Sequence, residues 1–131
     1  MLTEKDYCDY ETCVALKELG YIGTSQYFYT TKDSSLRMCQ RNQTLTIRTA
    51  SAIGHTLAIH LYDAQKWLRE EKGLFVQIDL FEADYGFRIY DTEEVYYDHY
   101  HVVRHNGHPV GSYEESLLAG IKQSVKLLRG E

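Results

Sequence analysis

A chain of 131 residues, 44% hydrophobic and 25% charged with a single proline, can close one core without disulfide or metal staples, which excludes the disordered and disulfide-scaffold classes. Its net charge of -5 argues against a general polyanion binder, yet the charge is uneven: Lys32, Arg37, Arg41 and Arg48 against Asp33 give +3 between positions 32 and 48, leaving -8 elsewhere. No apolar run reaches the ~18 residues of a membrane helix, the amino terminus lacks a signal peptide's regions, and Cys8, Cys13 and Cys39 lack paired spacing, so a soluble, cytoplasmic protein is expected.

The first helix is expected from Thr3 or Asp9 to Leu19, where Cys8, Ala15, Leu16 and Leu19 share a face and Gly20 stops it. Ser25 to Thr31 alternates as a strand, Asp33 to Gln43 reads as a loop or irregular edge, and Leu45 to Arg48 as another short strand. Ala50 to His60 fits either helix or loop. A second helix follows, with Leu61, Ala64, Trp67 and Leu68 on one face and Gly73 at its end. Leu74, Val76, Ile78 and Leu80 form the apolar side of a period-two strand. Asp84-Tyr85-Gly86 is expected as its hairpin turn, with Gly86 at positive φ, and Phe87 to Asp91 returns. A histidine-rich strand, Val95 to Arg104, closes at Asn106-Gly107. Ser112 and Glu115 form a capping box for the last helix, striped by Tyr113, Leu117, Ile121, Val125 and Leu128. The order α-β-β-α-β-β-β-α describes a single α+β domain over residues 1–131, about three helices on one face of a largely antiparallel sheet.

The densest concentration of chemistry is the segment Tyr96 to His108, which holds four of the six histidines. On a strand His99 and His101 project together, a spacing used by zinc and iron sites, with His105, His108, Asp98, Asp91 or His60 available to complete a set. Imidazoles that titrate near neutrality also suit recognition. The twelve tyrosines fit half-buried sheets and contact surfaces, since the ring buries area while its hydroxyl stays wet.

Other chemistries find little footing. There is no Gly-x-Ser-x-Gly elbow, and Gly20-Tyr21-Ile22-Gly23-Thr24 lacks the lysine of a phosphate loop. Cys39 with His55 or His60 is a pairing that any chain of this composition offers. The Glu70-Glu71, Glu93-Glu94 and Glu114-Glu115 pairs are adjacent and do not share a face. Tyr62 to Arg129 has the α-β-β-β-α order of a double-stranded RNA-binding domain, but Tyr113-Glu114-Glu115 stands where that module presents lysines to phosphates. The basic stretch from Lys32 to Arg48 reads as a solvated loop, or as contact with an acidic partner.

Three stretches carry a resemblance: Asp9 to Tyr21 (DYETCVALKELGY), Ala64 to Gly73 (AQKWLREEKG) and Ser112 to Ile121 (SYEESLLAGI). Together they resemble small, functionally uncharacterised proteins encoded by phages and integrated mobile elements of gut bacteria. This chain differs in lacking a proline before the Trp67 helix and in its long Asp33 to His60 insert. The resemblance implies an accessory protein and supplies no catalytic residues.

The expectation is therefore a non-enzymatic module that binds a host or phage protein, with Tyr96, Tyr97, Tyr100, His99 and His101 as contact residues. Neither a membrane nor nucleic acid is expected as a partner, while homo-oligomerisation is compatible with the sequence. The alternative is a metal-binding protein or metal-dependent hydrolase using His99, His101 and His105; a divalent metal is the only cofactor considered.

Overall fold

The computed structural model describes residues 4–40, 43–81, 84–91, 98–101, 104–105, 108–109 and 112–131. Its internal contacts divide the chain into two compact units, Met1–Asp63 and Ala64–Glu131. Among the described residues the fold is α+β, with four α-helices and strands that pair antiparallel throughout. No helix of the described residues is long and apolar enough to cross a membrane.

In the first unit, α1 (Tyr10–Glu18) starts where the Asp9 carboxylate accepts the Thr12 amide at 2.9 Å. It ends in a Schellman motif: Gly20, at φ 107°, donates to the Lys17 carbonyl and Tyr21 to that of Leu16. Cys13, Ala15 and Leu16 form its buried face. Strand β1 (Thr24–Ser25) is followed by β2 (Tyr27–Thr30) and β3 (Leu36–Met38), and β4 (Leu45–Thr46) then pairs back to β1. The expected strand over Leu45 to Arg48 stops after Thr46, which instead caps α2 (Ile47–Ala52). The cause is a reciprocal box: Thr49 N donates to Thr46 Oγ1 at 3.1 Å, and Thr46 N to Thr49 Oγ1 at 2.8 Å.

Strand β5 (His55–Leu57) completes a three-stranded sheet in the order β3-β2-β5. Its register gives Phe28, Thr30, Arg37, His55 and Leu57 one face, and Tyr27, Tyr29, Leu36, Met38 and Thr56 the other. The Tyr29 face meets α1: Tyr29 Oη donates to the Cys8 carbonyl at 2.6 Å, and the Tyr29 and Tyr10 rings lie edge-on at 6.0 Å.

The division between units falls within α3 (Leu61–Lys72), after which Gly73 adopts φ 69°. In the second unit β6 (Leu74–Phe81), β7 (Asp84–Asp91) and β8 (Asp98–His101) form a sheet in that order. Strands β9 (Arg104–His105) and β10 (His108–Pro109) make a separate ribbon. Asp84, Tyr85 and Gly86 are not the hairpin turn expected of them: they pair with Phe81, Leu80 and Asp79 inside the β6–β7 ladder.

Helix α4 (Tyr113–Leu128) is capped by Ser112, whose Oγ accepts the Glu115 amide at 3.0 Å, and buries Leu117, Ile121 and Val125. It lies on the sheet face that carries Val76 and Phe87, where a Cβ on Gly120 would meet a Val76 methyl at 2.4 Å. Ser116, also buried, bridges helix to sheet through the Tyr85 carbonyl at 2.9 Å. The opposite sheet face carries the polar side chains Gln77, Asp79 and Arg88 beside Phe75 and Tyr90, and Arg88 Nε meets Asp79 Oδ2 there at 2.9 Å.

Candidate functional site

A concavity lies wholly within the first unit, on the sheet face that α1 leaves open. It is a cleft of about 480 Å³ with Phe28, Thr30, Arg37 and His55 on its sheet side, and Cys39, Gln43, Leu45 and Ile53 from the segments that follow β3, β4 and α2. That volume falls in the roughly 300–1,000 Å³ range of binding pockets.

Each wall has a local cause. The β2–β3 hairpin is drawn tight by Asp33, whose carboxylate accepts from the Thr30 hydroxyl, from Ser35 Oγ at 2.7 Å and from Ser35 N at 3.1 Å. Ser34 turns the corner at φ 56°. Those three hydrogen bonds, with nearby Arg37 adding a smaller effect, hold the Asp33 carboxyl down to about 2. On the floor, the rings of Phe28 and His55 stack at 4.5 Å and 21°. His55 Nδ1 is buried without a hydrogen-bond partner among the described residues.

Two large apolar side chains are turned to solvent here: Ile53, 58% exposed, beside the opening, and Met38, 65% exposed, on the other face of the β3 edge. Arg37 is exposed as well, its Nε donating to Ser35 Oγ at 3.2 Å. Among the described residues no aspartate or glutamate lines the cleft. Cys39 and His55 do share it, but burial pushes the Cys39 thiol up, away from the thiolate a nucleophile needs.

The outer edge of β3 runs along the same opening. Thr30 N bonds the Ser35 carbonyl, Phe28 pairs with Arg37, and Cys39 N bonds the Gln26 carbonyl, so positions 35, 37 and 39 spend their backbone groups on β2. The amides and carbonyls of Leu36 and Met38 alternate with these and face outward, where the sheet has no further strand among the described residues.

Compared with known proteins, the chain matches no family model, no curated protein and no solved structure.

The residues singled out in the sequence lie in the other unit. Tyr96 and Tyr97 fall outside the described residues. The β7–β8 register sets His99 opposite Ile89, His101 opposite Phe87 and Tyr100 opposite Arg88. The two histidine positions therefore oppose buried residues, while Tyr100 opposes a residue of the sheet face opposite α4. His105 lies directly opposite His108 in the short ribbon, and Asp91 ends β7 opposite Leu74. Among the described residues no cluster of three or more His, Cys, Asp or Glu side chains is arranged to hold a metal ion.

Cys8 and Cys13 are core groups. Cys13 Sγ donates to the Cys8 carbonyl at 3.4 Å and accepts the Ile59 amide at 3.3 Å, while its hydrogen bond to Cys8, together with burial, drives the Cys8 thiol pKa well up. His60 belongs to an aromatic ladder, meeting Tyr7 edge-on at 5.4 Å and stacking on Tyr62 at 5.3 Å. Sequence reasoning missed the cleft because its residues come from five short segments between Phe28 and His55, none with a pattern of its own. The basic run from Lys32 to Arg48 was the one signal that pointed toward it.

Proposed function

We propose that this chain is a non-enzymatic module that binds a protein partner, and that the cleft of the first unit, with the edge of β3 beside it, is the binding surface. The observation that carries this is the coincidence, at one edge of this sheet, of a strand edge with no further strand among the described residues and two exposed apolar side chains, Met38 on the α1 face of β3 and Ile53 beside the cleft. Soluble folds normally blunt such edges, and an exposed apolar rim is costly unless it is covered in use. The resemblance of the three helical stretches to phage and mobile-element proteins supports an accessory role.

The test is site-specific photo-crosslinking from positions 38 and 53, with Lys66 on α3 as the control position. The reading predicts one and the same protein crosslinked from 38 and 53, and its loss on Met38→Asp with Ile53→Asp. Undiminished binding by that double variant would refute it. So would crosslinks that arise from position 96, 97 or 100 and not from the cleft, since the tyrosines there, with His99 and His101, are the rival contact surface.

A second reading, metal binding or metal-dependent hydrolysis at His99, His101 and His105, is supported by the pairing of His105 with His108, which sets two histidine positions face to face. Metal analysis of the purified protein, with a thermal shift on added zinc, tests it. Absence of both removes it.

A further inference from the structure

We infer that the partner segment is an extended, acidic peptide that adds to β3 as a fourth strand, lays apolar side chains on the Met38 face and sets a carboxylate on Arg37 on the other. This rests on the binding reading above and specifies what the cleft takes.

Leu36 and Met38 each present one outward N–H and one outward carbonyl, so an added strand gains up to four backbone hydrogen bonds without displacing any existing one. Strand β3 is only three residues long, so this edge fixes a short peptide in register and leaves selectivity to side chains.

Side-chain geometry is set by the same pleat. A strand beyond β3 carries alternate residues on the Phe28–Arg37 face, where the cleft opens, and intervening residues on the Leu36–Met38 face. Apolar residues in the peptide on the second of these faces meet Met38, which is otherwise left in water. Charge then selects the class. Among the described residues, Arg37 is the one formal cation lining the cleft, no carboxylate lines it, and no salt bridge engages that guanidinium. Lys32 stands exposed in the hairpin next to it, and the chain between positions 32 and 48 carries +3 in a protein of net -5. The Asp33 carboxylate, the one negative charge of that stretch, is committed to Thr30 and Ser35. An acidic strand meets attraction here, whereas a second copy pairing through its own β3 edge brings Lys32 and Arg37, of the same sign as their target.

The experiment is selection of a displayed random dodecapeptide library on the full chain, followed by affinities of the enriched peptides for variants. Expected are sequences rich in Asp and Glu alternating with apolar residues, weakening at least tenfold with Arg37→Glu and progressively with added salt. Met38→Pro should abolish binding while Met38→Leu retains it, because proline removes one outward N–H and no ladder bond; unchanged circular dichroism confirms the fold of each variant. Neutral or basic winners, no winners, or affinities indifferent to Arg37→Glu overturn the acidic strand. A concentration-dependent dimer abolished by Met38→Pro also overturns it, since the occupant is then a second copy. If photo-crosslinking from 38 and 53 survives such a failure, the cleft stands as a binding surface and only the class of partner falls; if both are lost, both readings fall.

Discussion

Substituting Gly120 by alanine sets two effects of opposite sign against each other. In an exposed helix interior the change is favourable by about 1 kcal/mol, because glycine loses more backbone freedom on folding. In α4 the added Cβ lies 2.4 Å from Val76 Cγ1 and 3.2 and 3.3 Å from two ring carbons of Phe87. Ordinary carbon contacts are about 3.5–4.0 Å, so the valine methyl has to retreat by about 1 Å. It has nowhere to go: Val76 is fully buried, Phe87 is 1% exposed, and a β-branched side chain has few rotamers. Overpacking of this kind costs roughly 1–3 kcal/mol, more where neither neighbour yields, so the net expectation is a loss of about 1–2 kcal/mol. In a unit of this size that lowers the Tm by roughly 5–10 °C, read by circular dichroism with urea titration as a second measure. In a Val76→Ala background the same substitution should cost less, with a coupling of about 1 kcal/mol between two groups in contact. Gly120→Ala protein that gains stability by the helix-propensity increment would refute the close approach of α4 to the sheet.

Three further outcomes are expected. Tyr29→Phe, which removes the 2.6 Å hydrogen bond to the buried Cys8 carbonyl, should destabilise by about 1–3 kcal/mol in chemical denaturation; a neutral result would deny that contact. The Asp33 carboxyl should titrate near 2 by NMR, below its ordinary 3.8. Because the folded value is the lower, its stabilisation of the β2–β3 hairpin is whole above about pH 4, fades as pH falls through 2, and is absent in Asp33→Asn. Burial above all raises Tyr7 and Tyr21 to about 12, and Tyr29 is raised further. Here the folded value is the higher, so stability is whole below about pH 10 and drains as pH climbs through 12. Absorbance at ~295 nm should show these tyrosines ionising together with unfolding, and free titration near pH 10 of all twelve would contradict their burial.

Where the sequence carried punctuation, the fold was legible. Asp9 and Gly20 bracket α1, Gly73 closes α3 and Ser112 opens α4, although of the box expected there the structure shows the Ser112 Oγ half, which accepts the Glu115 amide. The strict alternation from Leu74 also held as a strand, although burial fades along it until Leu80 is 64% exposed. Failures came where two local signals competed. Asp84-Tyr85-Gly86 has turn composition, yet Gly86 serves as a paired strand residue opposite Asp79, because the cross-strand register and not the dipeptide decides where a hairpin bends. Thr46 and Ile47 favour a strand by β-branching, and only the Thr49 hydroxyl, standing where a carboxylate or amide usually completes the box, tips them into α2.

The cleft was illegible for a different reason. Strands of two to four residues have no measurable period, so the face shared by Phe28, Arg37 and His55 emerges only from the pairing of β2 with β3 and β5. The histidine-rich segment drew the eye by composition, which reports what a segment contains and not what its neighbours leave open.

Amide hydrogen exchange at Leu36 and Met38 tests the central claim most directly, measured on the free protein and with a saturating partner segment. The account predicts rapid exchange of both amides when free, since they face outward from β3, and strong protection of both when bound. Unchanged exchange at Leu36 and Met38, with new protection across Asp98 to His101 instead, would contradict it and move the binding surface to the second unit.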